Sequence, residues 1–474
     1  MRILLKIKLI YKILCKKESF GYNFKQGVII MLEDTIAAIA TGRNEAAISI
    51  IRLSGPHVFE VMKKIFKKDL TKVPSHTIHY GYIRDEDEII DEVLVNVYQG
   101  ERTFTGENMV EINCHGGIFI TNRVLETCIK YGARLANPGE FSERAYLNGR
   151  IDLAQAESIA DLISAKTKTA SHLALNGIQG KVSSLIKDLK EDLIKIITQI
   201  EVYIDYPEYD SVEELTADSL IPLSSNFINK INKILENARN GKLIREGIST
   251  VIIGKPNVGK SSLLNALLEE EKAIVTNIAG TTRDIVEGSI HLSGIVLNMI
   301  DTAGIRDTED IVEKIGVEKS KAMLSKADLV LLVLDGSRPL EKEDKELLEL
   351  TQHMNRILVI NKKDQGTCID VEGIQISAKN LEVEALEEEI KNLFQLGKLN
   401  QQEDVYISNI RHITLLESAK KNVEKAIEAM HMQIPTDLIV LDLYDAWKDL
   451  KDILGEEAKE DLLDELFSRF CIGK

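Results

Sequence analysis

The sequence has no surplus of positive charge, no paired cysteines and no apolar run long enough to cross a bilayer, and each absence argues against a class of protein. Across 474 residues the formal net charge is -16. Coating nucleic acid by bulk electrostatics needs a net or local surplus of Lys and Arg, so any RNA contact must be local or carried by a partner. The five cysteines, Cys15, Cys114, Cys128, Cys368 and Cys471, stand apart with no CxxC pair. That spacing speaks against a disulfide framework and a clustered metal site, and fits a reducing cytosol. In the opening stretch MRILLKIKLIYKILCKK, charges interrupt the Ile and Leu residues throughout and Glu18 is the first acid. It lacks the unbroken apolar core and the small-residue cleavage site of a signal peptide, and it cannot span a membrane. Two readings remain for residues 1–30: a basic amphipathic membrane-surface segment, or a stretch upstream of a start at Met31, where MLEDTIAAIAT opens an ordinary cytosolic domain. The second is preferred, and with it a cytoplasmic protein without stable membrane association.

What is present supports several buried cores. The chain is 44% hydrophobic and 28% charged, and its length suggests about three domains. Residues 31–148 read as an α+β domain: AAISIIRLSG and EVLVNVY have strand character, and Thr121 to Lys130 reads as a helix. From 149 to 246 the texture changes to long 3.6-period stretches, IDLAQAESIADLISAKTKTASHLAL, VSSLIKDLKEDLIKIITQIEVYI and IPLSSNFINKINKILENARNGKLIREG, with DYPEYDSVEELT as an intervening loop. Residues 247–380 switch again, to strand-length apolar runs (STVIIG, LNMIDTAG, ADLVLLVLDG, RILVINKKD, GIQISAK) alternating with amphipathic helices. That alternation predicts an α/β domain with a parallel sheet. Helices return over 381–474 without a complete fold of their own. The economical architecture is multidomain: an α+β N-terminal domain, and a helical bundle made of two stretches that flank an inserted α/β domain.

The inserted domain carries the sharpest chemistry. STVII leads into Gly254-Lys255-Pro256-Asn257-Val258-Gly259-Lys260-Ser261 and then into SSLLNALL, the strand, loop and helix order of a phosphate-binding loop. Gly254 and Gly259 let backbone amides curl around phosphates and the helix presents its N-terminus to them. Lys260 supplies a point charge and Ser261 a Mg²⁺ ligand. Gly280-Thr281-Thr282-Arg283-Asp284 offers a hydroxyl to complete the metal shell, and Asp301-Thr302-Ala303-Gly304 places an acid at a strand end. Asn361-Lys362-Lys363-Asp364 follows another strand. The Asp364 carboxylate can accept from N1–H and the exocyclic amine of guanine, donors that adenine lacks in that arrangement. Ser377-Ala378-Lys379 adds a backbone contact. The expected GTP contacts are Asn257, Val258, Gly259, Lys260, Ser261 and Ser262; Thr276, Asn277, Ile278, Ala279, Gly280, Thr281 and Thr282; Asp301, Thr302, Ala303 and Gly304; Asn361, Lys362, Lys363 and Asp364; and Ser377, Ala378 and Lys379. Mg²⁺ falls to Ser261 and Thr282. A Ras-like GTPase has a glutamine after DxxG to orient water; here Ile305 stands in that place, so another group must position the nucleophile.

Outside that domain, IIRLSG, FTGENMVEINCHGG, NPGEFSERAYLNGRIDLAQAE and the terminal FCIGK, together with GKPNVGKSSLLN to GTTRD, make the sequence from Met31 to Lys474 closely resemble the MnmE (TrmE) family of tRNA modification GTPases, within the TrmE-Era-EngA-like GTPases. The resemblance implies a homodimer held by N-terminal domains that bind 5-formyl- or methylene-tetrahydrofolate. It also implies work with the FAD flavoprotein MnmG, in a heterotetramer, to place a carboxymethylaminomethyl-type group on carbon 5 of the wobble uridine of certain tRNAs. Carried over by motif, Arg52, Glu111, Arg150 and Lys474 match folate contacts. Position 150 is commonly Lys in the family, and without the resemblance Arg52 and Glu111 read as ordinary surface charges. K⁺ is implied in place of an arginine finger, with Asn257, Thr276, Ile278 and Thr281 as its ligands. Glu313, in DIVEKIG, matches the residue that orients water, which answers the puzzle of Ile305. Cys471 is implied in the modification chemistry, although a cysteine beside Phe470 is more often a small apolar packing residue. Two departures stand out: ATGRNEAAISII lacks the family's Pro- and Gly-rich loop, and the leader is foreign to it. A ribosome-assembly GTPase of the Era or Der kind is the alternative, but there is neither a second G domain nor a basic KH-like segment with GxxG. A membrane-associated GTPase anchored by the leader is the other.

Overall fold

The computed structural model describes residues 34–205, 217–269, 288–292, 295–300, 324–394 and 407–474. These divide into two compact units: one of the described residues up to Ala160 with Ile178–Phe227 and Ser418–Lys474, the other of Asp161–Gly177 with Ile228–Glu417.

The first unit is built on a six-stranded sheet of β1 (Ile36–Ile39), β2 (Ala46–Ser54), β3 (Thr77–Asp85), β4 (Glu88–Tyr98), β5 (Met109–Gly116) and β6 (Arg134–Leu135), in the order β3-β4-β5-β2-β1-β6. All neighbours run antiparallel except β1 and β6. Strand alternation decides the faces: Val93, Val95 and Val97 of β4 and Ile112 and Cys114 of β5 point into a core covered by α1 (Val58–Ile65) and α2 (Ile118–Lys130). Their neighbours in sequence, Leu94, Glu111 and Asn113, take the opposite face. Helix α2 begins three residues before the expected Thr121. A short helix, α3 (Glu140–Leu147), follows.

The stretch 151–175 forms two helices, α4 (Leu153–Ser164) and α5 (Lys168–Ile178), where the periodicity suggested one. The break is local chemistry. Ser164 donates its hydroxyl to the Asp161 carbonyl, and Thr167 accepts from the Ala170 amide as a helix start does. Helix α6 (Lys181–Asp205) is unbroken, as is α7 (Ala217–Glu246), which stops at Gly247.

Within the first unit α6 packs along α12 (Thr436–Leu454), so helices from either side of the inserted segment meet. Leu189, Leu193, Ile196, Ile197 and Ile200 of α6 and Leu443, Ala446, Leu450 and Ile453 of α12 are buried, the spacing of one apolar stripe on each helix. Polar ties accompany them: Lys190 pairs with Glu456, and the Tyr444 hydroxyl donates to Glu201. Helix α13 (Glu460–Ser468) sets Leu463 and Phe467 against Leu153 and Ala156.

The second unit holds β7 (Ile248–Ile253), β8 (Ser289–Leu292), β9 (Ile295–Met299), β10 (Leu329–Asp335), β11 (Arg356–Asn361) and β12 (Ile374–Gln375) in the order β12-β11-β10-β7-β9-β8, parallel but for the β8–β9 pair. All seven residues of β10 are buried, as a central strand covered on both faces requires. Helices α8 (Lys260–Glu269), α9 (Lys342–Leu350) and α10 (Glu384–Leu393) lie in this unit, with the end of α4, nearly all of α5, α7 from Ile228 on and part of α11 (Ile410–His431). The chain leaves β7 toward β9 on one side and reaches β10 on the other, so the end of β7 is the switch point where open α/β sheets bind ligands.

Candidate functional site

At the end of β7 the loop turns tightly: Asn257 has φ +61° and Gly259 φ +98°. The Lys260 amine folds back and donates to the carbonyls of Gly254 at 2.9 Å and Lys255 at 2.7 Å, and burial pushes its pKa down. Helix α8 begins at Lys260, and Ser261 and Ser262 are exposed on its first turn. A row of backbone amides at a helix N-terminus, with one lysine beside it, suits an anionic phosphate chain.

Asn361, at the end of β11, joins that loop to the rest of the sheet edge. Its side-chain amide donates to the Val258 carbonyl at 2.9 Å and accepts from the Ala378 amide at 3.1 Å. Next to it, Lys362 sits in the left-handed region at φ +66° and extends its amine to Asp335 at 2.7 Å. Burial tends to raise the Asp335 pKa, but hydrogen bonds from Lys362 and Ser337 and the lysine charge hold it below the ordinary value. The Ser377 hydroxyl donates to Asp364 Oδ1 at 2.9 Å, leaving that exposed carboxylate a second oxygen for a base edge. The ends of β7, β10, β11 and β12 thus gather Asn257 to Ser262, Asn361 to Asp364 and Ser377 to Lys379. The expected contacts Thr276 to Thr282 and Asp301 to Gly304, the water-orienting Glu313 and three of the four K⁺ ligands (Thr276, Ile278, Thr281) lie outside the described residues, as do the Mg²⁺ ligand Thr282 and the leader.

A second charged site lies in the first unit. Residues 52 and 111 are register partners on β2 and β5, and the Arg52 guanidinium pairs with the Glu111 carboxylate at 2.8 Å. Both side chains are largely covered, at 17% and 14% exposed, so the reading of ordinary surface charges is corrected. The Tyr98 hydroxyl donates to Glu111 at 3.3 Å, and its pKa is raised by burial and by the Glu111 charge. Arg52 lies against the rings of Phe104 and Phe141, 5.6 and 5.7 Å from their centroids, and donates to the Gly473 carbonyl at 3.1 Å. The last residues are seated by backbone bonds as well: Gly139 donates to Cys471 and Phe141 to Lys474. Burial and the charge of Arg52 push the Lys474 amine down. Arg150 donates to the Thr103 carbonyl at 3.4 Å.

Cys471 is exposed, which overturns the reading of it as a packing residue. Among the described residues Cys114 and Cys128 are the buried thiols, and burial raises their pKa to about 11 and about 12. Sequence reasoning missed Tyr98, whose only signal is its place two residues beyond Asn96 on an outward strand face. It also missed Arg144, which is 2% exposed among Asp34, Glu107 and Glu140 and looks from sequence like any charge in a polar helix. Among the described residues no cluster of His, Cys, Asp or Glu could hold a metal ion, and no helix is long and apolar enough to cross a membrane.

Comparison with known proteins gives the family. A family model described as the MnmE helical domain matches residues 153–471, and one described as the GTP-binding protein TrmE N-terminus matches 35–150. The chain belongs to the MnmE (TrmE) family. A protein named tRNA modification GTPase MnmE from Bacillus thuringiensis is 50% identical over 455 residues, which is 93% of this chain and 99% of that one. A protein of the same name from Staphylococcus haemolyticus is 48% identical over 456 residues, with the same coverage. Among solved structures, the FeoB G-domain from Methanococcus jannaschii aligns with 31% of this chain and 98% of its own at 26% identity, with a TM-score of 0.23.

Proposed function

We propose that this chain is a GTP-hydrolysing enzyme of tRNA modification, which with an MnmG-type flavoprotein installs a carboxymethylaminomethyl-type group at carbon 5 of the wobble uridine. The observation that carries the reading is the double hydrogen bond of Asn361: it ties the phosphate loop at Val258 to the turn at Ala378, so phosphate cradle and base clamp form one pocket. In that pocket Lys260 neutralises phosphate oxygens, Ser261 would hold Mg²⁺ with Thr282, and Asp364 selects guanine. Asn257, exposed at the turn, would contribute to a K⁺ site that offsets charge as the phosphates separate.

The Arg52, Glu111 and Lys474 cluster would hold a tetrahydrofolate, with Glu111 as acceptor and the two cations against its acidic groups. Bound there, the folate supplies the one-carbon unit. Cys471, exposed beside the same cluster, is available to the modification chemistry, and the N-terminal domains are the proposed homodimer contact. The two family matches, at 35–150 and 153–471, favour this reading over an Era- or Der-like assembly factor.

The test is GTP turnover by the purified chain with Mg²⁺ in KCl and in NaCl, with ATP and GTP as competitors. Phosphate release that is faster in KCl and blocked by unlabelled GTP but not ATP is expected. Absence of phosphate release in either salt would remove the enzyme, and equal rates in both would remove the K⁺ site alone.

A further inference from the structure

The nucleotide pocket is bordered by a run of charged pairs whose middle members, Asp335, Arg338, Glu341 and Glu343, belong to no phosphate- or base-binding motif. It starts in the phosphate loop at Lys255, whose side chain is only 9% exposed although it carries a charge. Its amine pairs with Glu341 and lies 3.1 Å from Glu343. Glu341 also meets Arg338 at 3.4 Å, Arg338 stands 3.4 Å from Asp335, and Asp335 holds Lys362 of the base clamp at 2.7 Å. Opposite charges alternate without a gap from the phosphate loop to the base clamp.

The intervening backbone is itself fixed. Asp335 Oδ1 accepts from the amide and hydroxyl of Ser337, closing a turn as β10 ends. Glu341 caps α9 in a reciprocal pair with Asp344. Lys255 is further placed from the other side, since its carbonyl accepts from Lys260. Were Lys260 to turn to a phosphate, that backbone tie would be given up, and the side-chain pairs of Lys255 would be left to hold the loop.

We propose that residues 335–343 form a charged strap that locks the phosphate loop and the base clamp to each other, with Lys255 and Glu341 as positioning residues for the bound nucleotide. The inference rests on the pocket being the GTP site. Each exposed pair alone contributes little. The function of the strap is in coupling two halves of one pocket, so that loosening one end frees both.

Release of a fluorescent GDP from the full chain, followed by stopped flow, tests it. Lys255→Met and Arg338→Met should each speed release about five-fold, Lys255→Arg should stay within about two-fold of the parent, and Lys255→Met with Arg338→Met should be no faster than the faster single variant, because one strap is cut only once. Unchanged release in Lys255→Met, or effects that multiply in the double variant, would overturn the strap. Thermal melting within about two degrees of the parent for each variant separates faster release from a fold defect. If the parent protein retains no GDP at all, the pocket assignment fails instead.

Discussion

Gly259 shows how a single residue can decide whether the pocket closes. Its φ of +98° is open to glycine and strained for other residues, and a β-carbon there would stand 2.2 Å from the Asn361 side-chain nitrogen. Gly259→Ala therefore displaces the side chain that joins Val258 to Ala378. The expected outcome is loss of GDP binding by more than about ten-fold, with a stability cost of about 1–3 kcal/mol from strain and displacement, read by titration and by urea unfolding. Binding within two-fold of the parent would mean that Asn361 is not the joint. Arg144 is a second case, buried among three carboxylates. Arg144→Met should cost about 3–5 kcal/mol because it strands buried acids. Partial burial tends to raise the Asp34 pKa, but hydrogen bonds and charges from Arg134 and Arg144 hold it below 3.8. Its stabilising effect is thus complete above that value and lost as pH falls through the lowered folded one. Urea midpoints of the parent and Asp34→Asn should differ at pH 7 and converge below pH 3.8; a constant gap down to pH 2 would contradict the account. The placement of Gly254, Lys260 and Asp364 beside strand ends was legible in the sequence because each belongs to a motif that follows a strand-length apolar run. Arg144 and Asp335 were not, since a buried ion pair and a solvated charge have the same letters.

Among elements, the segment Phe470–Lys474 has the longest reach. Gly473 adopts φ +91°, and a β-carbon would lie 2.5 Å from the Ile39 carbonyl oxygen. Gly473→Val should lift the segment off β1, breaking the bond from Arg52 to the Gly473 carbonyl. Nucleoside analysis of tRNA from cells carrying that variant should find the proposed wobble modification lost while purified protein keeps its GTP turnover; loss of both would point to general unfolding. Strand runs such as ADLVLLVLDG and RILVINKKD were readable from composition and length alone. The pairing of Arg52 with Glu111 was not, because it depends on the register between β2 and β5, set by tertiary packing across 59 residues of separation. The split of 151–175 into α4 and α5 was hidden for a related reason: side-chain oxygens of Ser164 and Thr167 compete with the helix while the apolar period runs on.

For the molecule as a whole, the two compact units have separate cores, and each holds one of the two candidate sites. The sheet of β7 to β12 packs its own cluster around Val258, Leu331 and Ile357, and the sheet of β1 to β6 has another around Ile51, Val95 and Ile112. Cores that share few residues melt as separate cooperative units unless a large apolar interface binds them. A ligand bound only to native protein stabilises the unit that holds its site, by about 2.7 kcal/mol at 100 times its Kd. Calorimetry should therefore resolve two transitions, with GDP raising one midpoint and leaving the other within about a degree. Gly259→Ala should abolish that rise, whereas Gly473→Val should leave it intact. A single transition, moved as a whole by GDP and with equal calorimetric and van't Hoff enthalpies, would show instead that nucleotide binding is felt through the entire chain as one folding unit.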